Sequence, residues 1–351
     1  MAPFLRSRYG LSLGETGVLI SASLAGSVLT LVPWGFATDR FGERLVLVIG
    51  IGGCGLALLA ASTVNGFWAL LGLLVVAGML GASVQSASGR AVMAAFPAEQ
   101  RGTALGIRQT AIPIAGFAVS LTLSHVARAG TGWGFALLGC ACVAGAAIGG
   151  LVIRDAPVRE GGGSADPLRD ERLWRIALGG ALIVAPQLCV VGFMVLMLHD
   201  HRGVSPSRAA AALAVVQLLG IAGRIAAGRW SDAVVTRLGP LRIIALVDAG
   251  LVFLCAALLD APLALLVPAL IAAGAVAMSW NGLAFAAAVE AVGHRRSGVA
   301  IGLQQSVLNG FSALYPGLFG AFVAGTSWTW GFVAVAALPV AGRGVLRRLP
   351  G

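Results

Sequence analysis

The chain has 351 residues, 58% of them hydrophobic and only 11% charged, with a mean hydropathy of +0.92. A water-soluble domain carries roughly a quarter charged residues, so this chain has too little polar surface to face water on all sides, and most of it faces lipid. The net charge of +10 comes from arginine alone, since no lysine occurs; these arginines are spread through short loops, not gathered as a nucleic-acid patch would be.

The apolar residues run in continuous blocks of roughly 20, the length that crosses a bilayer as a helix. In hydrocarbon every backbone N–H and C=O must pair within its own segment. Barrel strands would alternate over about ten residues, and no such alternation is present, so the blocks are helices. In chain order the predicted spans are 15–38, 44–63, 66–95, 102–126, 132–153, 174–198, 207–230, 241–259, 262–291, 298–323 and 328–346. The longest polar stretch, Arg154 to Arg175, contains Gly161-Gly162-Gly163-Ser164 and reads as a flexible linker.

Arginine placement sets the orientation. With the 38–44 loop in the cytoplasm, that side receives Arg40, Arg44, Arg101, Arg154, Arg159, Arg237, Arg295, Arg296, Arg347 and others, while the outer side holds Arg6, Arg8, Arg128, Arg202 and Arg208. The expected location is therefore the inner (plasma) membrane, crossed many times. Trp68, Trp133, Trp174, Trp328 and Trp330 lie near span ends, as an interfacial belt would. Cys54, Cys140, Cys142, Cys189 and Cys255 all fall in apolar runs and read as small hydrophobes, not as disulfide or zinc ligands. His125, His199, His201 and His294 fall at span ends or in loops, and no nucleophile–base pair lies within a span, so neither enzyme activity nor a cofactor is expected.

Between the first two spans stands Gly35-Phe36-Ala37-Thr38-Asp39-Arg40-Phe41-Gly42-Glu43-Arg44. Gly35 allows close helix contact, Asp39 suits a helix N-terminus, Gly42 suits a tight turn, and Arg40 and Arg44 hold this end in the cytoplasm. The second half repeats the pattern at Gly228-Arg229-Trp230-Ser231-Asp232 with Arg237, Gly239 and Arg242, after a span containing Arg224; Asp39 and Asp232 are 193 residues apart. A second echo pairs Gly102-Thr103-Ala104-Leu105-Gly106-Ile107-Arg108-Gln109 with Gly298-Val299-Ala300-Ile301-Gly302-Leu303-Gln304-Gln305, 196 residues on. Two echoes at nearly one spacing predict two homologous bundles related as parallel repeats.

The first loop resembles the G-x-x-x-D-R-x-G-R-R signature of the major facilitator superfamily, and the repeat extends the resemblance over essentially the whole chain. The resemblance implies an all-α, polytopic fold of two pseudo-symmetric bundles, with an N-terminal bundle over 1–153, a cytoplasmic linker over 154–173 and a C-terminal bundle over 174–351. It implies a gating role for Gly35, Asp39, Arg40, Gly42, Arg44, Arg224, Gly228, Asp232, Arg237 and Gly239. It also places the first signature after the family's second helix. The eleven visible spans then correspond to helices 2 to 12, and Met1–Arg6 reads as the exit of a first helix. Either the coding start lies upstream of Met1, which is the favoured expectation, or the chain is truncated.

Polar residues inside spans are costly in lipid and are functional candidates by default. Arg90 and Arg108 sit roughly 10 Å inside the cytoplasmic ends of adjacent helices, where a guanidinium pair would attract an anion. Gln304, Gln305 and Asn309 answer in the second half, joined by Gln85, Gln109, Gln187, Gln217, Trp280 and Asn281, each of which serves equally as an interhelical hydrogen bond. Asp248, the one carboxylate well inside a span, is a possible coupling site, with pairing to a neighbouring arginine favoured. The expectation is a monomeric transporter of a small organic or inorganic anion, working by alternating access. Ala77 stands where proton-coupled members of the family often carry arginine, which counts against the runner-up, a proton-coupled efflux permease. A transporter-like membrane sensor is a third reading.

Overall fold

The computed structural model describes residues 10–155 and 166–349. The expectations attached to Met1–Arg6, Arg8, Arg159 and Gly161–Ser164 lie outside the described residues, as do the side chains of His125, Arg128 and His294.

Fourteen α-helices and no strand occur among the described residues: α1 Leu13–Phe41, α2 Glu43–Thr63, α3 Phe67–Gly81, α4 Ser83–Ala95, α5 Arg101–Ala129, α6 Thr131–Val152, α7 Glu171–Ile183, α8 Gly192–Asp200, α9 Pro206–Ala233, α10 Leu238–Ala257, α11 Leu263–Ala277, α12 Asn281–Val292, α13 Ser297–Gly325 and α14 Trp328–Arg347. Three predicted spans are each broken into two helices: α3 with α4, α7 with α8, and α11 with α12. Among the described residues, ten segments are long and apolar enough to cross a membrane. The eleventh expected span, α5, is continuous over 29 residues but is not among the ten; it carries Arg101, Arg108 and Gln109 in its first half.

The chain divides into two units. Unit 1 comprises Met1–Ala95, Ile112–Leu168 and Val292–Ser306; unit 2 comprises Phe96–Ala111, Arg169–Ala291 and Val307–Gly351. The division thus departs from sequence order at two places: the start of α5 belongs to unit 2, and the start of α13 to unit 1.

In unit 1, α1 begins at a reciprocal cap. The Ser12 hydroxyl accepts from the Glu15 N–H at 3.2 Å, and the Glu15 carboxylate accepts from the Ser12 N–H at 2.8 Å. Its polar residues are spent on α3: Ser23 donates to the Leu74 carbonyl at 3.1 Å, Thr30 to Met79 at 2.7 Å, and the Trp34 indole to Met79 at 2.6 Å. Such bonds hold helices together where lipid offers no hydrophobic driving force. The faces turned away stay apolar, with Leu29, Trp68 and Leu151 strongly exposed.

In unit 2, Asp170 caps α7 by accepting from the Arg172 N–H at 2.9 Å. The Arg172 side chain holds its carboxyl below the usual carboxylate range. Pro186 has no N–H to donate, and the chain passes through a π turn at Gln187–Val191 before α8 resumes. The Tyr315 hydroxyl ties α13 to the Ala181 carbonyl at 2.9 Å, and Arg242 caps the end of α14 through the Leu346 and Leu349 carbonyls at 2.6 and 2.7 Å. All five cysteines are free thiols.

Candidate functional site

The N-terminal turn of a helix leaves N–H groups without intrahelical partners and carries a partial positive charge. In unit 1 this end of α13 meets a carboxylate from the signature loop: Asp39 accepts from the Gly298 N–H at 2.9 Å and the Val299 N–H at 3.0 Å. In unit 2 the start of α5 is held the same way. Asp232 accepts from the Gly102 and Thr103 N–H groups at 2.9 and 2.8 Å, and from the Thr103 hydroxyl at 2.7 Å.

Close backbone approach makes both caps possible. A Cβ on Gly35 would stand 2.5 Å from the Gly298 carbonyl oxygen, and one on Gly228 would stand 2.4 Å from that of Gly102. No side chain fits at either crossing, so small residues belong at these positions.

A guanidinium completes each cap by bridging two acids. Arg90 on α4, 6% exposed, donates to the Thr38 carbonyl and stands 3.3 Å from Glu43 and 3.9 Å from Asp39. Arg237 donates to Asp232 at 2.6 Å, Glu290 at 3.0 Å, Ser231 at 3.0 Å and the Ala98 carbonyl. These contacts tie Arg90 to the signature loop, because α4 brings it against the C-terminal end of α1. Glu43, 1% exposed, was not singled out from the sequence, and neither was Asp155, whose carboxylate accepts from the Arg44 N–H at 2.9 Å. Arg40 lies over the Phe41 ring at 5.3 Å.

The second loop makes its positive-φ turn with a different residue type from the first. Gly42 has φ +86°, a conformation that favours glycine. Its equivalent 193 residues on is Val235, at φ +52°, whereas Gly239 lies within the first turn of α10. A β-branched residue in the left-handed region is strained by about 1–3 kcal/mol. Val235→Gly is therefore expected to raise stability by about 1 kcal/mol, read as a higher melting temperature in detergent.

The remaining candidates divide between the units. Gln85, Gln304 and Gln305 belong to unit 1, where Gln304 is wholly buried and neither its amide nitrogen nor its oxygen has a hydrogen-bond partner among the described residues. Unit 2 holds Arg108, Gln109, Gln187, Gln217, Trp280, Asn281 and Asn309. Arg108 donates to Gln109 at 3.0 Å and lies over the Phe285 ring at 5.8 Å. Asn281 donates to Gln187 at 3.4 Å, in the π turn. The pairing expected for Asp248 is absent: the side chain is wholly buried, and neither carboxylate oxygen has a hydrogen-bond partner among the described residues.

The model of the Major Facilitator Superfamily matches residues 1–316. The chain belongs to the major facilitator superfamily. It is 34% identical over 347 residues to an MFS-type transporter of Mycobacterium tuberculosis, covering 97% of this chain and 78% of that protein. The D-galactonate transporter of Escherichia coli is 29% identical over 102 residues, 29% of this chain and 24% of that one. Solved structures share the fold, among them the two that follow. The fucose:proton symporter of Escherichia coli matches with TM-score 0.78 at 15% identity, covering 99% of this chain and 94% of that one. The human organic anion transporter MFSD10 matches with TM-score 0.75 at 15% identity, covering 98% and 88%. This major facilitator superfamily chain is thus a multi-pass membrane transporter, and the two aspartate caps stand in its repeated signature loops.

Proposed function

We propose that the protein is a secondary transporter of a small anion, organic or inorganic, that works by alternating access in the inner (plasma) membrane. Arg108 is the observation that carries the anion reading. It is a permanently charged guanidinium set within a span, held by a neutral amide and an aromatic face, and its geometry suits bidentate oxygen acceptors. The D-galactonate transporter in the comparison moves an organic anion by name, which agrees with this class. The two aspartate caps supply the gate: closed, one holds α1 to the start of α13 within unit 1 and the other holds α9 to the start of α5 within unit 2, and release of both opens the cytoplasmic side. Binding and release of solute suffice for this cycle, so the protein performs no chemical step; we take it to act as a monomer, without nucleic acid or cofactor.

Uptake of labelled gluconate, phosphate and sulfate into proteoliposomes, alongside cationic dyes, tests the substrate class. Flux of an anion without dye flux is expected. Dye flux alone would move the assignment to the efflux class.

A further inference from the structure

We propose that unit 2 carries an oxyanion site where α5 crosses α9, built by Arg224 together with Arg108. The proposal rests on the anion reading above and deepens it by adding the second cation and by naming the ligand class: a carboxylate, phosphate or sulfate.

Arg224 lies nine residues before the end of α9 at Ala233, about 14 Å along the helix. It is only 2% exposed, and its Nε and Nη1 have no hydrogen-bond partner among the described residues. A buried guanidinium with unsatisfied nitrogens is costly, so its presence needs a cause.

Packing is not that cause, because the repeat supplies an internal control. The crossing of α5 on α9 is set by Gly106, where a Cβ would stand 2.5 Å from the Arg224 carbonyl oxygen. The equivalent crossing in unit 1 is set by Gly302, where a Cβ would stand 2.4 Å from the Leu31 carbonyl oxygen. The same contact therefore forms with leucine in place of Arg224. The position equivalent to Arg108 is likewise neutral, Gln304. The shared frame requires neither cation, yet unit 2 carries Arg224 at the crossing and Arg108 two residues beyond Gly106 on α5.

The surroundings offer further N–H donors. The α12 start reaches the crossing through Gly282, where a Cβ would meet the Gly106 nitrogen at 2.9 Å, and Arg108 lies over Phe285 on the same helix. A Cβ on Gly223 would stand 3.3 Å from the Ser279 Cβ, and the next residue, Trp280, is wholly buried with its indole N–H unpartnered among the described residues. Asp232, two turns along α9 from Arg224, is already engaged by Gly102, Thr103 and Arg237. Guanidinium and indole groups only donate, so the matching ligand brings oxygen acceptors and negative charge.

Calorimetric titration of the purified chain in detergent with sodium gluconate, inorganic phosphate and sulfate, each alone, tests the site. The expected result is binding of at least one probe. The Arg224→Leu variant then weakens it by roughly tenfold or more while its ligand-free melting temperature equals or exceeds that of the wild type, because leucine already serves at the repeat crossing. Gluconate binding marks an organic acid as the ligand, and phosphate or sulfate binding an inorganic one. Undiminished binding in Arg224→Leu with weakened binding in Arg108→Gln overturns the role of Arg224 and leaves the anion reading standing. A sharply lowered melting temperature in Arg224→Leu also overturns it, by showing a structural residue. Failure of all three probes to bind, or binding unchanged in both variants, overturns both readings.

Discussion

Replacing Asp39 by Asn is expected to release the start of α13. The carboxylate accepts two N–H groups at 2.9 and 3.0 Å, at a helix end where negative charge is favoured. An asparagine offers one neutral acceptor, and its own N–H₂ meets donors. Bonds to charged acceptors contribute about 1.5–3 kcal/mol each, so the cap weakens by about 2–4 kcal/mol. Amide exchange at Gly298 and Val299 then rises by roughly 30- to 1,000-fold if opening is local, and solute flux falls by about tenfold or more. The effect is confined: Asp232 still holds Gly102 and Thr103, and Arg90 retains Glu43 at 3.3 Å. The Asp232→Asn variant should show the converse pattern. Unchanged exchange at Gly298 and Val299 in Asp39→Asn would mean that the carboxylate is not what holds this helix end.

The second large effect is expected from Arg108→Gln. Removal of a charge-assisted, two-pronged contact to an anion costs about 1.5–3 kcal/mol, a loss of roughly 10- to 150-fold in affinity. Folding should be spared, because glutamine is the residue at the repeat position, Gln304, which is wholly buried in unit 1. The attraction of the guanidinium to the Phe285 face is also lost, about 1–2 kcal/mol at a partly desolvated site. Anion flux lost with normal expression is the predicted result, measured in proteoliposomes. Unchanged flux and affinity would remove Arg108 from the solute path.

Much of the fold was legible because lipid imposes a simple rule: every span must be an apolar helix, and the helix periods and loop arginines follow. The spans were read to within a few residues, though breaks such as Pro186 and the π turn after it were not, since a proline signals a disturbance without fixing its form. The signature loops were legible because Asp39 and Asp232 repeat at fixed spacing. What each carboxylate touches was not, because Gly298 lies 259 residues away from Asp39 and only packing brings them together. The contacts of Arg90 were not legible either. Position along a helix says how far a residue lies from the end, but not that it turns toward Thr38, Asp39 and Glu43. Residue type gave no sign of the second turn, because the backbone gives positive φ to Val235, a residue type that rarely adopts it. Arg224 was read with the signature as a gating residue. Its unsatisfied nitrogens, and the leucine at its repeat position, emerge only when the two helix crossings are compared.

The most direct test of the account is hydrogen exchange on the wild-type chain in nanodiscs, with and without a saturating anion that the uptake assay has shown to be carried. The caps formed by Asp39 and Asp232 are the proposed gate, so exchange at Gly298–Val299 and at Gly102–Thr103 should change together when the anion binds, while the middle of α3 and α11 stays unaltered. Exchange at both pairs indifferent to a carried anion, or a response at one pair alone, would contradict the account.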